Sequence, residues 1–169
     1  TIRVKSEGDR IKRGIYRDFP TQYETPYGTL NVAFDVLRVQ RDGQTEPYHT
    51  ERLGNGVRVY IGDKDYFLPQ GQYQYTLRYR TDRQLGFFED HDELYWNVTG
   101  NGWAFPIDRV RARVSLPGNI APRASELEAY TGRQGERSRD YRARVDADGA
   151  AVFETTRGLN PNEGLTIVV

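Results

Sequence analysis

Hydrophobic side chains recur at every second position along much of this chain. Leu30, Val32, Phe34 and Val36 alternate with polar or small residues, and Val57, Val59 and Ile61 alternate with Arg58 and Tyr60. Tyr73, Tyr75, Leu77 and Tyr79 are interleaved with Gln74, Thr76, Arg78 and Arg80. Val110, Ala112, Val114 and Leu116 are interleaved with Arg109, Arg111, Arg113 and Ser115, and Tyr141, Ala143 and Val145 with Arg142 and Arg144. Successive side chains of a strand point to opposite faces, so this rhythm predicts strands with one buried and one wet face. Such strands build antiparallel sheets; the doubly covered strands of parallel sheets read as unbroken apolar runs. No stretch of ten or more residues carries a clean helical stripe, and Ala124 to Tyr130 reads either as a turn of helix or as one more strand.

Turn-forming residues punctuate the runs at Asp42-Gly43, Gly54-Asn55-Gly56, Pro69-Gln70-Gly71, Gly100-Asn101-Gly102, Pro117-Gly118-Asn119 and Asp148-Gly149. Gly, Asn and Asp tolerate positive φ, which tight hairpins demand, so Arg41–Gln44 and Ala147–Ala150 are the strongest hairpin predictions. At Val36-Leu37-Arg38-Val39 the apolar phase slips by one residue. A bulge would re-aim a strand there. Roughly nine to eleven short strands in one chain predict an all-β fold, a two-sheet antiparallel sandwich of immunoglobulin-like type. Residues 1–169 are of a length that one such domain accommodates.

Composition narrows the chemistry. The chain has no cysteine, which removes disulfides, thiolate nucleophiles and cysteine-ligated metals. Lys plus Arg equals Asp plus Glu at 24 each, so the formal net charge is zero. A protein that holds nucleic acid through its overall field is expected to be basic, so no nucleic-acid partner is predicted. No apolar run approaches the roughly 18 residues of a membrane helix, and no signal peptide is recognisable. The chain lacks methionine, begins inside an apparent strand (Ile2, Val4) and stops inside another (Leu165, Ile167, Val169), and so reads as an excised segment of a longer protein.

Two strings are the most distinctive: Arg13-Gly-Ile-Tyr-Arg-Asp-Phe-Pro20 and Glu89-Asp-His-Asp-Glu-Leu-Tyr-Trp-Asn-Val-Thr-Gly-Asn-Gly-Trp103. With Val57-Arg-Val-Tyr-Ile-Gly-Asp63 and Tyr75-Thr-Leu-Arg-Tyr79 they resemble, in order, the family of predicted bacterial membrane proteins catalogued as domain of unknown function 2207. The resemblance covers roughly Arg13 to Leu116. It implies the N-terminal extracytoplasmic β-domain of a membrane-anchored protein, followed in the parent by transmembrane helices and a low-complexity tail. In the family a further strand usually precedes the equivalent of Ile2. The family brings no established activity, so the resemblance implies place and architecture but no reaction.

The densest cluster of chemistry-bearing residues is the acidic turn Glu89, Asp90, Asp92 and Glu93 around His91. Four carboxylates so close can serve a hard cation such as Ca²⁺, which takes six to eight oxygens. Their spacing is not that of an EF-hand loop. A solvated loop whose charges pair with nearby arginines is the favoured reading, and acid–base work by Asp92 or Glu93 with His91 the least favoured. Arg17 offers a planar fork suited to carboxylates. With Asp18 it is a candidate anchor for a bound peptide or sugar acid, though a structural role pairing Arg17 with Asp90, Asp92 or Glu93 is preferred. Tyr95, Trp96 and Trp103 flank the Gly100-Asn101-Gly102 turn. If residues 95 and 96 lie in a strand they face opposite ways, so Tyr95 and Trp103 are candidates for stacking on a sugar or a partner while Trp96 is a core residue. The sequon Asn97-Val98-Thr99 reads as coincidence in a bacterial protein. The arginine rows Arg109, Arg111, Arg113, then Arg142, Arg144, and Arg78, Arg80, fit a solvated sheet face first and a stripe against anionic lipid heads second.

No nucleophile elbow and no phosphate-cradling glycine motif occurs. The expected function is therefore a non-enzymatic interaction module, extracytoplasmic as the resemblance implies, that recognises a protein or envelope polymer without a cofactor or metal. A structural domain lacking its own ligand is one alternative, and a carbohydrate- or cation-binding module centred on residues 89–103 is another.

Overall fold

The computed structural model describes residues 1–26 and 28–169. Sixteen strands form among them, and no α-helix. In chain order they are β1 (Ile2–Ser6), β2 (Ile15–Pro20), β3 (Gln22–Thr25), β4 (Gly28–Asn31), β5 (Phe34–Arg41), β6 (Gln44–Thr45), β7 (Tyr48–Leu53), β8 (Gly56–Ile61) and β9 (Gly71–Thr81). After these come β10 (Leu85–Phe87), β11 (Asp92–Asn97), β12 (Arg111–Val114), β13 (Glu128–Gly132), β14 (Tyr141–Val145), β15 (Ala151–Thr155) and β16 (Gly164–Val168). The ambiguous stretch resolves as both readings in succession, a 3₁₀ turn at Ala124–Glu126 and then β13. The fold is all-β, as the alternation predicts, and every strand pairing is antiparallel.

Contacts divide the chain into two compact units, Thr1–Arg83 and Gln84–Val169. Each has its own pair of stacked sheets. In the first, a sheet ordered β1-β9-β5-β6 and a sheet ordered β2-β8-β7 are accompanied by the hairpin β3-β4. Val57, Val59 and Ile61 share the inward side of β8, in register with Phe19, Arg17 and Ile15 of β2. Phe19 carries that face onto the other sheet, its ring 4.5 Å from Phe34 and 4.7 Å from Tyr79. Ring contacts of this kind contribute about 0.5–1.5 kcal/mol beyond the area they bury.

The bulge appears where the phase slips: Val36 pairs with Tyr79 and Arg38 with Arg78, leaving Leu37 as the extra, exposed residue. Asp42 and Gly43 both adopt positive φ, 51° and 84°, and close the β5–β6 hairpin with Arg41 opposite Gln44. Gly14 and Gly62 sit where β2 and β8 end against each other. A Cβ on Gly14 would strike the Ile61 carbonyl, and one on Gly62 the Arg13 carbonyl. The distinctive strings around these glycines therefore encode a close backbone approach.

In the second unit, a sheet ordered β10-β11-β16-β13 stacks on one ordered β12-β15-β14. Val110, Ala112, Ala151 and Phe153 from one side meet Leu127, Ala129, Leu165 and Ile167 from the other in one continuous core, and Trp96 packs against it. The predicted hairpin at Asp148-Gly149 joins β14 to β15 and is clamped by Asp146, whose carboxylate accepts from the amides of Asp148 and Ala150. No helix among the described residues is long and apolar enough to cross a membrane.

Candidate functional site

The β10–β11 hairpin builds the acidic turn. Leu85 pairs with Leu94, Gly86 with Glu93 and Phe87 with Asp92, so Glu89, Asp90 and His91 fall at the exposed tip. His91 Nδ1 lies 2.7 Å from an Asp90 carboxylate oxygen, and its ring stacks on Phe88 at 4.8 Å. The hydrogen bond to Asp90 raises the His91 pKa above its ordinary value, with the carboxylates of Glu93 and Asp92 acting in the same sense. The same bond lowers the Asp90 pKa. Asp92 and Glu93 occupy successive positions of β11, so pleating sends them to opposite faces. Among the described residues no three His, Asp or Glu groups gather as the ligands of a metal ion would.

The tip is also greasy. Leu85 is 51% exposed, Phe87 75% and Phe88 56%. Farther along β11, Tyr95 faces solvent while Trp96 turns inward opposite Ile167. The loop that follows is held by its own polar groups. Asn97 accepts from the Gly100 amide and donates to Asn101, and the Trp103 indole N–H donates to the Thr99 carbonyl at 3.0 Å. Asn162 N–H donates to the Trp103 carbonyl, so Trp103 is a half-buried, fixed ring.

Arg17 and Asp18 belong to the first unit and part company on β2. Arg17 lies on the inward row with Ile15 and Phe19, its guanidinium 5.4 Å from the centre of the Phe19 ring. Burial pushes its pKa down, against the opposing influence of Tyr79 and Asp18. Asp18 faces out and grips Arg58 of β8 with both oxygens, at 2.6 and 2.8 Å.

Three arrangements depend on contacts that the sequence does not show, though the arginine rows of the second are legible in it. The first surrounds Arg58, which also lies over the Tyr16 ring at 4.2 Å beside Tyr60, itself stacked on His49. Tyr16, Tyr60 and His49 are direct cross-strand neighbours on β2, β8 and β7. The second is the outer face of β12-β15-β14. Its cross-strand rows read Arg111–Glu154–Arg142 and Arg113–Val152–Arg144. Arg109 and Arg111 both reach Glu154, and Arg113 reaches Asp146 and Asp148. An open depression of about 500 Å³ is lined by Arg142, Ala143, Arg144, Val152 and Glu154. The third is a polar clasp: Arg157 bridges Asp140 and Glu163, and Glu163 also accepts from Asn160. The bond from Arg157, then those from Asn160, hold the Glu163 pKa down at about 2. Only strand register or loop closure brings these partners together, so alternation alone carries no signal for them.

The family model described as the N-terminal domain of a predicted membrane protein (DUF2207) matches residues 1–169. The chain is similar to the "Uncharacterized protein YciQ" of Escherichia coli (strain K12), with 34% identity over 146 residues. That alignment covers 86% of this chain and 23% of the relative, so the chain spans less than a quarter of that protein's length. No solved structure matches the chain at a significant level.

Proposed function

Since the chain belongs to the DUF2207 family of predicted membrane proteins, as its N-terminal domain, we propose that it is an extracytoplasmic, immunoglobulin-like, non-enzymatic interaction module. The reading rests on the β10–β11 hairpin. Leu85, Phe87 and Phe88 hold apolar surface in water beside four carboxylates. Exposed aromatic clusters rimmed by charge are the usual anatomy of a protein-docking patch. The partner that complements it has an apolar pocket with a basic rim, since like charges at a rim repel and opposite charges steer encounter. An enzyme would instead hold its acid and base in a cleft; here His91 and the carboxylates stand on an exposed tip, and His91 is occupied by Asp90.

Two measurements test the proposal in the full-length membrane protein. Alkaline phosphatase, which folds only outside the cytoplasm, fused after residue 169 should be active; an inactive fusion that is nonetheless expressed would reverse the sidedness. A photo-crosslinking residue at position 87 should give one discrete adduct that the same group at the exposed Lys64 does not. Identical adduct patterns at the two positions would sink the docking role of the hairpin.

A further inference from the structure

We propose that the outer face of β12-β15-β14 is a docking surface for a bilayer carrying anionic lipid headgroups. Four arginines from two strands stand on this one face, because residues 111 and 113 and residues 142 and 144 keep the same pleat phase, and Arg109, two residues before β12, reaches Glu154 on the same face. Carboxylates form ion pairs with three of these arginines, and Arg144 acts on Glu154 only at longer range. Arg109 and Arg111 share Glu154, and Arg113 takes Asp146 and Asp148 at the turn end. Arg142 and Arg144 make no side-chain hydrogen bond or ion pair among the described residues. They are exposed and line the open depression with Glu154 and Val152.

Edge strands carry charges to discourage edge-to-edge pairing, and β14 is an edge. That task needs a charge on the strand but no partner rows. Here Arg142 and Arg144 stand in line with Arg111 and Arg113 across β15, so the positive charges form a flat two-dimensional array. Between Arg113 and Arg144 in that register stands Val152, at 1% exposure. A guanidinium fork suits the oxygens of a phosphodiester. The second unit has a further asymmetry. Its acidic turn belongs to the other sheet, so the two sheets carry opposite charge, and this unit gains an orientation at a negative surface. The family's setting, a predicted membrane protein, brings such a surface within reach.

The test is co-sedimentation of the 169-residue chain with vesicles of equal parts phosphatidylglycerol and phosphatidylcholine, against pure phosphatidylcholine. Binding is expected to the first and not the second. It should fall as salt rises from about 0.1 M to about 1 M, which shortens the screening length from roughly 10 Å to roughly 3 Å. Arg142→Gln and Arg144→Gln should each weaken binding roughly fivefold, and together roughly 25-fold, since a basic residue near an anionic surface contributes about 1 kcal/mol. Arg80→Gln, on an exposed arginine of the first unit, should change nothing. Equal binding to both vesicles, no binding to either, or a double variant that binds like the parent chain would overturn the proposal. So would binding to soluble heparin without binding to vesicles, which would mark a polymer partner. The surface lies on a different sheet from the β10–β11 hairpin, so vesicle binding and hairpin crosslinking can fail independently.

Discussion

Two solvent-facing sheet surfaces of this protein use arginine in opposite ways. On β2-β8-β7, Arg58 is fully engaged: Asp18 grips it with two oxygens and the Tyr16 ring lies beneath it. These contacts hold the guanidinium in its charged form, with the Asp18 hydrogen bond the leading cause. On β12-β15-β14, Glu154 is shared by two arginines, and Arg142 and Arg144 make no side-chain hydrogen bond or ion pair among the described residues. The residue type and the alternation are the same. What differs is the supply of acceptors across the strands. An arginine with its donors satisfied acts as part of the sheet, whereas one without them is available to something else.

The strongest check on this contrast lies underneath it. Phe153 shares β15 with Glu154 but points inward and is 0% exposed. Phe153→Ala should cost about 3–5 kcal/mol by chemical denaturation. A loss no larger than that of a surface change would undo the division of this strand into an inner and an outer face.

A smaller effect follows acidification. The folded-state pKa of Glu163 is about 2, against an ordinary 4.5. A depressed pKa means stabilisation that is complete above 4.5 and is lost as pH falls toward 2. Asp146 and Glu154 are shifted the same way, Asp146 chiefly by the Ala150 amide and Glu154 by Arg109. The melting temperature should therefore drop across that window. Glu163→Gln should be less stable at neutral pH and lose less on acidification, while Arg142→Gln should leave the slope alone. An unchanged slope in Glu163→Gln would show that Arg157 does not hold that carboxylate.

Next comes a direct comparison of the two faces by double-mutant cycles. Asp18→Ala with Arg58→Ala should give clear positive coupling in thermal melts. Glu154→Ala with Arg142→Ala should give none. Equal couplings would erase the distinction between a satisfied and an unsatisfied arginine. The smallest expected effect is Arg142→Gln alone, within about 0.5 kcal/mol of the parent stability, as befits a surface position without partners. A larger loss would mean that Arg142 is structural and would sharpen the case against a docking role.

Much of the architecture is legible from side-chain rhythm. The slip at Leu37 and the Asp42-Gly43 hairpin follow from local backbone geometry and appear where predicted, but sixteen strands form among the described residues against the nine to eleven expected, and the run from Leu30 to Val36 breaks between β4 and β5, which belong to different sheets. The inward turn of Trp96 and outward turn of Tyr95 follow from pleating alone. The candidate site was legible in part. The acidic turn is a turn, but its carboxylates do not assemble into a metal-ligating group among the described residues, and no alternation marks the exposed Phe87 and Phe88 beside it. Arg17 shows how alternation can mislead about chemistry. It is a charged residue on the inward row of β2, and the outward neighbour Asp18 makes the two-point ion pair with Arg58.

The amino-acid sequence by itself determined which side chains lie on the same face of a strand, because the pleat repeats every two residues whatever the strand pairs with. It determined the tight turns too, because positive φ is a property of single residues. Only the tertiary structure decided which charges meet. Arg58 finds Asp18 across 40 residues of chain and Arg109 finds Glu154 across 45, through strand registers fixed by the cores beneath them. Arg142 and Arg144 are left without an ion pair among the described residues by that same register, which places one carboxylate and one valine in the rows where two carboxylates would have silenced the face.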